Sequence, residues 1–172
     1  MKSSLQLMQG AQREVLIASP YFVPGPKGLV LLREAIDRGI GVRVLTNSLA
    51  ATDEPLAHHA YARYRPDMLR IGVVLSELSP IPSWHGREAR PLSLGRLHAK
   101  LAVVDRRWLL IGSMNMDLRS SRLNTELALA VDSDELAERV ASLVRDGWAP
   151  DQYWLQLDAA GRLVEWQEQK TV

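Results

Sequence analysis

Short apolar runs that alternate with amphipathic segments constrain the fold of this chain more than any other feature. The runs Glu14–Ser19 and Val42–Thr46 are rich in Val, Leu and Ile and are bounded by polar residues or proline, as buried strands are. The segment between them has apolar residues at helical spacing: Leu29, Leu32, Ala35 and Ile36. This strand–helix–strand order is typical of an α/β layer with a partly parallel sheet.

The rest of the chain extends the same pattern. We predict a helix over 54–69, a short strand over 73–75, strands over 97–104, 108–112 and 126–131, and a hairpin over 154–166. A tight turn at Arg106 and Arg107 joins the strands over 97–104 and 108–112, which predicts a hairpin. Ser133 or Asp132 is expected to cap a last helix whose inward side chains are Leu136, Val140, Leu143 and Val144. The predicted fold is one α/β domain over residues 1–172, a mixed sheet flanked by helices on both faces.

Composition excludes several classes of function. The 47% hydrophobic content is enough for a core, while 21 basic and 20 acidic residues give a net charge of +1. That balance provides no overall field to hold nucleic acid, so we do not expect a nucleic-acid partner and any attraction for phosphate must be local. The absence of cysteine excludes disulfides, thiolate catalysis and cysteine-ligated metals. No run reaches the roughly 18 apolar residues that a transmembrane helix needs.

The stretch 97–115 carries the residues best suited to phosphate chemistry. His98 and Lys100 lie two apart in a predicted strand, so both side chains leave the same face. The lysine ammonium disfavours a second positive charge on the neighbouring imidazole, which keeps the ring able to attack, and it attracts a phosphoryl group. Asp105 ends this strand.

Further polar residues end or begin the two strands that follow. Ser113 and Asn115, after Gly112, offer a hydroxyl and an amide as hydrogen-bond donors to phosphate oxygens. Glu126 opens the third strand, and its carboxylate can accept a hydrogen bond from the imidazole nitrogen that does not attack.

This spacing, HxK, four residues, Asp, six residues and GSxN, matches the signature of the phospholipase D superfamily. Other segments extend the resemblance: SPYFVP from Ser19, NSLAATD from Asn47, YARYR from Tyr61, LSELSP from Leu75 and RLNTE from Arg122. Residues of about 12–168 resemble the C-terminal half of bacterial cardiolipin synthases, the cardiolipin synthase C-like group in particular. The domain is thus expected to be the second of two in a longer protein.

The resemblance implies a mechanism and a set of roles. The family transfers phosphodiesters through a phosphohistidine and needs neither metal nor cofactor. His98 is nucleophile or general acid, Lys100, Ser113 and Asn115 hold phosphate oxygens, and Glu126 orients His98. Asp105 belongs to the motif, though a structural role at the strand end suits it better than direct catalysis. We also predict that Tyr21 and Arg96 contact substrate.

A working site in this family needs two motifs, and the chain has one. His85 has a basic residue two positions later but no Asp or GSxN at the right spacing. The partner is therefore either an N-terminal half or a second copy of the chain. The resemblance implies a phosphatidylglycerol-like substrate and peripheral contact with the cytoplasmic side of the bacterial inner membrane.

Two alternatives to the phosphatidyltransferase stay open, a homodimeric phosphodiesterase or nuclease and a lipid-binding half-domain without turnover. Elsewhere in the chain, His58 and His59 are expected to be surface residues rather than metal ligands.

Overall fold

The computed structural model describes residues 4–80, 96–116, 127–147 and 152–167. In chain order its elements are α1 Ser4–Gln9, β1 Glu14–Ala18, α2 Gly25–Asp37, β2 Gly41–Asn47, α3 Pro55–Ala62, α4 Arg65–Arg70, β3 Val74–Leu78, β4 Leu101–Val104, β5 Trp108–Gly112, β6 Ala128–Asp132, α5 Asp134–Ser142 with a π-helical turn Leu143–Gly147, β7 Gln152–Leu157 and β8 Leu163–Gln167.

The strands form one mixed sheet in the order β6-β5-β4-β1-β2-β3-β7-β8. The neighbours β1, β2 and β3 run parallel, because helices connect them across one face. All other neighbouring strands are antiparallel. The predicted mixed sheet is therefore confirmed.

Helices cover both faces of this sheet, as predicted. Successive side chains of β1 point to opposite faces, so Val15 and Ile17 enter the core shared with α1, α3 and α4. Leu16 and Ala18 enter the core on the other face, beneath α5. Burial of both faces explains why β1 is a continuous apolar run rather than an alternating one.

Helix α5 is rotated relative to the prediction. Ser133 caps it as expected and accepts a hydrogen bond from the Leu136 amide at 3.2 Å. Leu136 and Leu143, however, are 41% and 49% exposed, and the prediction that they face inward was wrong. The side chains that do face inward are Ala137, Val140, Ala141 and Val144. Both sets of side chains are apolar. The inward set contains the small residues Ala137 and Ala141, which let α5 approach the sheet closely.

Among the element boundaries that differ from the prediction, two differ most. The strand expected from position 97 begins at Leu101, and the helix expected over 54–69 is broken into α3 and α4, with proline in the first turn of α4. The C-terminal hairpin is confirmed as β7 and β8. Within the described ranges, no helix combines the length and hydrophobicity that a membrane-spanning segment requires.

Candidate active site

His98 and Lys100 lie together just before β4. The Lys100 Nζ is 3.5 Å from His98 Nε2 and donates to the His98 carbonyl oxygen at 3.0 Å. Their odd-numbered neighbours, Leu97, Ala99 and Leu101, pack into the core beneath α5. The alternation expected of a strand thus extends beyond the regular strand. This alternation places the exposed His98 imidazole and the Lys100 ammonium group on the same side of the chain.

A buried asparagine holds the backbone next to His98. The Asn47 side chain donates to the Leu97 carbonyl at 3.1 Å and accepts from the Leu97 amide at 2.9 Å. Asn47 is 2% exposed, so both hydrogen bonds are shielded from water. Asn47 had no predicted role. The only signal for it was its position at the start of the segment NSLAATD.

The structure places Asp105 away from His98, at the opposite end of β4. His98 and Asp105 are seven residues apart, which corresponds to roughly 20 Å along an extended chain. Its carboxylate accepts hydrogen bonds from the backbone amides of Gln12, Arg13 and Glu14, at 2.8–3.1 Å. Asp105 therefore joins the β4–β5 turn to the start of β1, which fits the structural role.

Replacing Asp105 with alanine is expected to lower the free energy of unfolding by about 2 kcal/mol, because three amides lose a charged acceptor. Asp105→Asn should cost less than half as much, since asparagine keeps one carbonyl oxygen and tolerates the positive φ of 54° at this position. Urea unfolding measures both changes. Asp67→Ala, which removes an exposed carboxylate, is the control and should shift stability by less than about 0.5 kcal/mol. Equal losses for alanine and asparagine would contradict the assignment.

Ser113 connects the end of β5 to the strand that follows Glu126. Its hydroxyl accepts a hydrogen bond from the Leu127 amide at 3.0 Å, and its amide donates to the Leu127 carbonyl at 2.9 Å. Gly112 pairs with Lys100 through a 3.1 Å backbone hydrogen bond, which brings this end of β5 beside Lys100. Glu126 itself lies outside the described residues.

The segment carrying Asn115 packs against the loop after β1. The Met116 amide donates to the Ser19 hydroxyl at 3.4 Å, and the Val23 amide donates to the Met116 carbonyl at 2.7 Å. The Asn115 Oδ1 is buried and has no hydrogen-bond partner among the residues described. The motif segment GSMN and the segment SPYFVP thus meet in space.

Tyr21, Arg96 and His98 lie around the carboxylate of Asp53, a residue with no predicted role. The Tyr21 hydroxyl donates to Asp53 Oδ1 at 2.7 Å. Burial and this carboxylate raise the pKa of Tyr21 to about 12. The tyrosine hydrogen bond lowers the pKa of Asp53, and the nearby charges of Arg96 and His98 lower it further. The only signal for Asp53 in the sequence was its position at the end of the segment NSLAATD.

A buried polar cluster lies behind Asn47. His58 is 7% exposed, so its expected position at the surface was wrong, whereas His59 is exposed. The Nδ1 atom of His58 lies 3.3 Å from the Asn47 carbonyl oxygen, and its Nε2 atom lies 2.6 Å from an Arg65 guanidinium nitrogen. Arg65 also pairs with Glu77 at 2.6 Å. Arg65 at the start of α4 thus links His58 in α3 to Glu77 in β3, and helix periodicity cannot predict such contacts between elements.

This cluster predicts an unusual pH dependence of stability. Burial, with the charge of Arg65, lowers the pKa of His58 from 6.5 to about 4, so stability falls as pH drops below 6.5, where only the unfolded chain takes up the proton. Burial raises the pKa of Glu77 from 4.5 to about 7, so the folded chain takes up that proton first and gains stability over nearly the same range. The two effects oppose each other in the unmodified protein.

Glu77→Gln should therefore expose the histidine contribution. Between about pH 6.5 and 5, its free energy of unfolding is expected to fall by about 1 kcal/mol more than that of the unmodified protein. Urea unfolding at both pH values measures the difference. The double variant with His58→Gln is the control and should lose this excess slope. If the free energy of unfolding of Glu77→Gln falls no more steeply between about pH 6.5 and 5 than that of the unmodified protein, the arrangement of charges is refuted.

Comparison with known proteins places these features in a family. Residues 4–148 match the family model described as "Cardiolipin synthase, PLD-like domain". This chain belongs to the phospholipase D-like domain family. It is 36% identical over 161 residues to cardiolipin synthase C of Escherichia coli K12, which covers 91% of this chain and 34% of that protein. It spans about a third or less of the curated relatives it matches.

Solved structures share the fold at low identity. Nuc from Salmonella typhimurium, a phospholipase D family member, superposes with a TM-score of 0.64 at 18% identity, over 95% of this chain and 88% of that one. Phosphatidylserine synthase from Haemophilus influenzae gives a TM-score of 0.65 at 17% identity, over 88% of this chain and 36% of that one. These likenesses confirm the predicted phospholipase D-like fold.

Proposed function

We propose that this domain supplies one half of the active site of a phosphatidyltransferase that acts on phospholipid phosphodiesters, as a cardiolipin synthase does. The observation that carries the proposal is the 3.5 Å approach of Lys100 Nζ to His98 Nε2, next to the motif segment at the end of β5. Membership of the family described as "Cardiolipin synthase, PLD-like domain" supports a phospholipid as the substrate class. A phosphatidylglycerol-like lipid is the proposed donor.

The proposed reaction has two steps. In the first, one motif histidine attacks phosphorus, a nitrogen–phosphorus bond forms, and the bond to the leaving alcohol breaks as the other motif histidine donates a proton to it. In the second, that histidine takes the proton of an acceptor alcohol, whose oxygen displaces the first histidine. His98 fills one of these two roles. Lys100, Ser113 and Asn115 hold the phosphate oxygens, and Glu126 orients His98.

The second histidine must come from outside this chain's single motif. An N-terminal half of a longer protein is the favoured source, since the relatives are about three times longer than the matched region. A surface for it is present beside the motif. Ile111, Leu127 and Leu129 are 42%, 70% and 59% exposed along β5 and β6, and β6 is the outermost strand at this end of the sheet.

The direct test supplies the missing half. A protein that joins this domain to its second-motif half should convert phosphatidylglycerol in vesicles to cardiolipin, detected by mass spectrometry. Co-sedimentation with those vesicles tests the proposed peripheral contact, and labelling of intact bacteria tests the cytoplasmic side. Failure of a folded two-motif protein to form any cardiolipin would remove this function. The single domain, as a monomer, is expected to form none.

A homodimeric phosphodiesterase is the second candidate, because the same exposed edge beside a single motif also suits a two-fold pair. It predicts a dimer in sedimentation and cleavage of a soluble diester that scales with the dimer fraction. Leu129→Lys should dissociate this pair, while Leu56→Lys, at a 77% exposed position on α3, should not. A strict monomer at high concentration counts against this candidate.

A further inference from the structure

An apolar cavity of about 650 Å³ lies between α2 and the sheet. The cavity is partly open to solvent, and its volume falls within the range of about 300–1,000 Å³ that small-molecule sites occupy. Its walls come from α1, α2, β1, β2, the loop after β1 and the motif segment after β5. A mostly apolar, partly open cavity of this size beside the motif segment is suited to bind a ligand.

The cavity leaves the apolar stripe of α2 incompletely covered. Leu31, Leu32 and Ala35 line the cavity and are only half-buried, and Gly25 is the one fully buried residue of this helix. A helix that packs directly on a sheet normally buries its apolar stripe. The half-buried side chains of α2 therefore have room for an apolar occupant between them and the sheet.

One end of the cavity is part of the candidate active site. Met114, Asn115 and Met116 line it, and Asn115 belongs to the GSxN motif. Met114 and Met116 also line a small hollow that contains Lys100. A ligand whose polar group is held at the motif would thus have this apolar space beside it.

The cavity is elongated along α2. Its lining runs from Gly28 to Arg38, ten residues or roughly 15 Å of helix. The side chains between these ends are largely aliphatic, and polar groups reappear at the far end, where Gln9 and Glu34 join Arg38. An elongated, mostly apolar space with few hydrogen-bonding groups suits an unbranched hydrocarbon chain, and flexible methionines such as Met8 adapt to such a ligand.

We propose that this cavity binds an acyl chain of the phospholipid whose phosphate is held by His98 and Lys100. The proposal rests on the proposed function for its headgroup site and adds to it the part of the lipid that the domain recognises. The domain then binds its substrate through the acyl chain as well as through the phosphodiester.

The test compares ligands that share a headgroup and differ in chain length. Calorimetry with this chain should give about tenfold tighter binding for dioctanoyl- than for dihexanoyl-phosphatidylglycerol, since one chain adds two buried methylenes. Glycerophosphoglycerol, which has the headgroup alone, should bind more weakly than either lipid.

Variants of α2 distinguish an effect of filling the cavity from a general effect of substitution in this helix. Leu32→Trp and Ala35→Phe fill the cavity and are expected to abolish the difference between the two lipids. Val30→Trp is the matched control at a position that is 55% exposed, and it should keep the tenfold difference. Circular dichroism and urea unfolding identify any variant that fails to fold, and two filling variants allow the test to proceed if one fails.

Equal affinity for the two lipids in the unmodified chain would overturn the proposal, as would a chain-length effect that both folded filling variants retain. A segment of protein that occupies the cavity would give the first of these results. The outcome is independent of catalysis, because His98→Ala should keep the chain-length effect. If a two-motif protein forms cardiolipin without any chain-length effect on binding, the acyl site fails while the proposed function stands.

Discussion

His98→Ala is expected to reduce phosphatidyl transfer by at least about 10⁴-fold in a protein that contains both motifs. In the proposed mechanism, the reaction then loses either the nucleophile or the acid that protonates the leaving alcohol. In the proposed mechanism, Lys100 holds a phosphate oxygen and does not take over the role of the imidazole. Cardiolipin formation from phosphatidylglycerol, followed over time, measures the loss.

His59→Ala is the matched control for this variant. His59 is an exposed histidine on α3, and its removal should leave the rate within about twofold, as for a surface change. Trapping with radiolabelled lipid also assigns the role of His98. An acid-labile label that disappears in His98→Ala makes His98 the nucleophile, and a label that persists on the other half makes it the general acid. A variant with more than a tenth of the original rate would exclude both roles.

Gly112→Ala is expected to lower the free energy of unfolding by about 3 kcal/mol or more. A Cβ atom at this position would lie 2.2 Å from the Leu127 carbonyl oxygen and 2.8 Å from the Ala128 Cα. Both are backbone atoms of the adjoining strand region, so the clash cannot be relieved by a side-chain rotation. The strand β6 would have to move away from β5. This is the physical reason for glycine in the GSxN motif.

Gly41→Ala is the control for strand glycines in general. A Cβ there would meet Arg13 and Glu14 at 3.7 and 3.9 Å, which are ordinary contacts. Its stability should stay within about 1 kcal/mol of the unmodified protein. Urea unfolding of both variants decides the matter, and a Gly112→Ala protein as stable as Gly41→Ala would contradict the close approach of β6.

The pairing of His98 and Lys100 was accessible from the sequence because it depends on local geometry. Alternation along an extended chain places residues two apart on the same side, whatever the rest of the fold does. The strand boundary was misjudged by four residues, yet the two side chains still meet. The same local reasoning was insufficient for α5, where two adjacent stripes are both apolar and only the sheet selects one.

By itself, then, the sequence determined the alternation of strands and helices, the motif spacing and the family resemblance, since each is written in residues close together along the chain. Only the tertiary structure decided which distant groups support the site. Asn47 reaches Leu97 across 50 positions, and Asp105 reaches Gln12 across 93. The burial of His58 and the cavity under α2 are likewise products of packing. Such contacts depend on the relative positions of whole helices and strands, and short-range periodicity does not determine those positions.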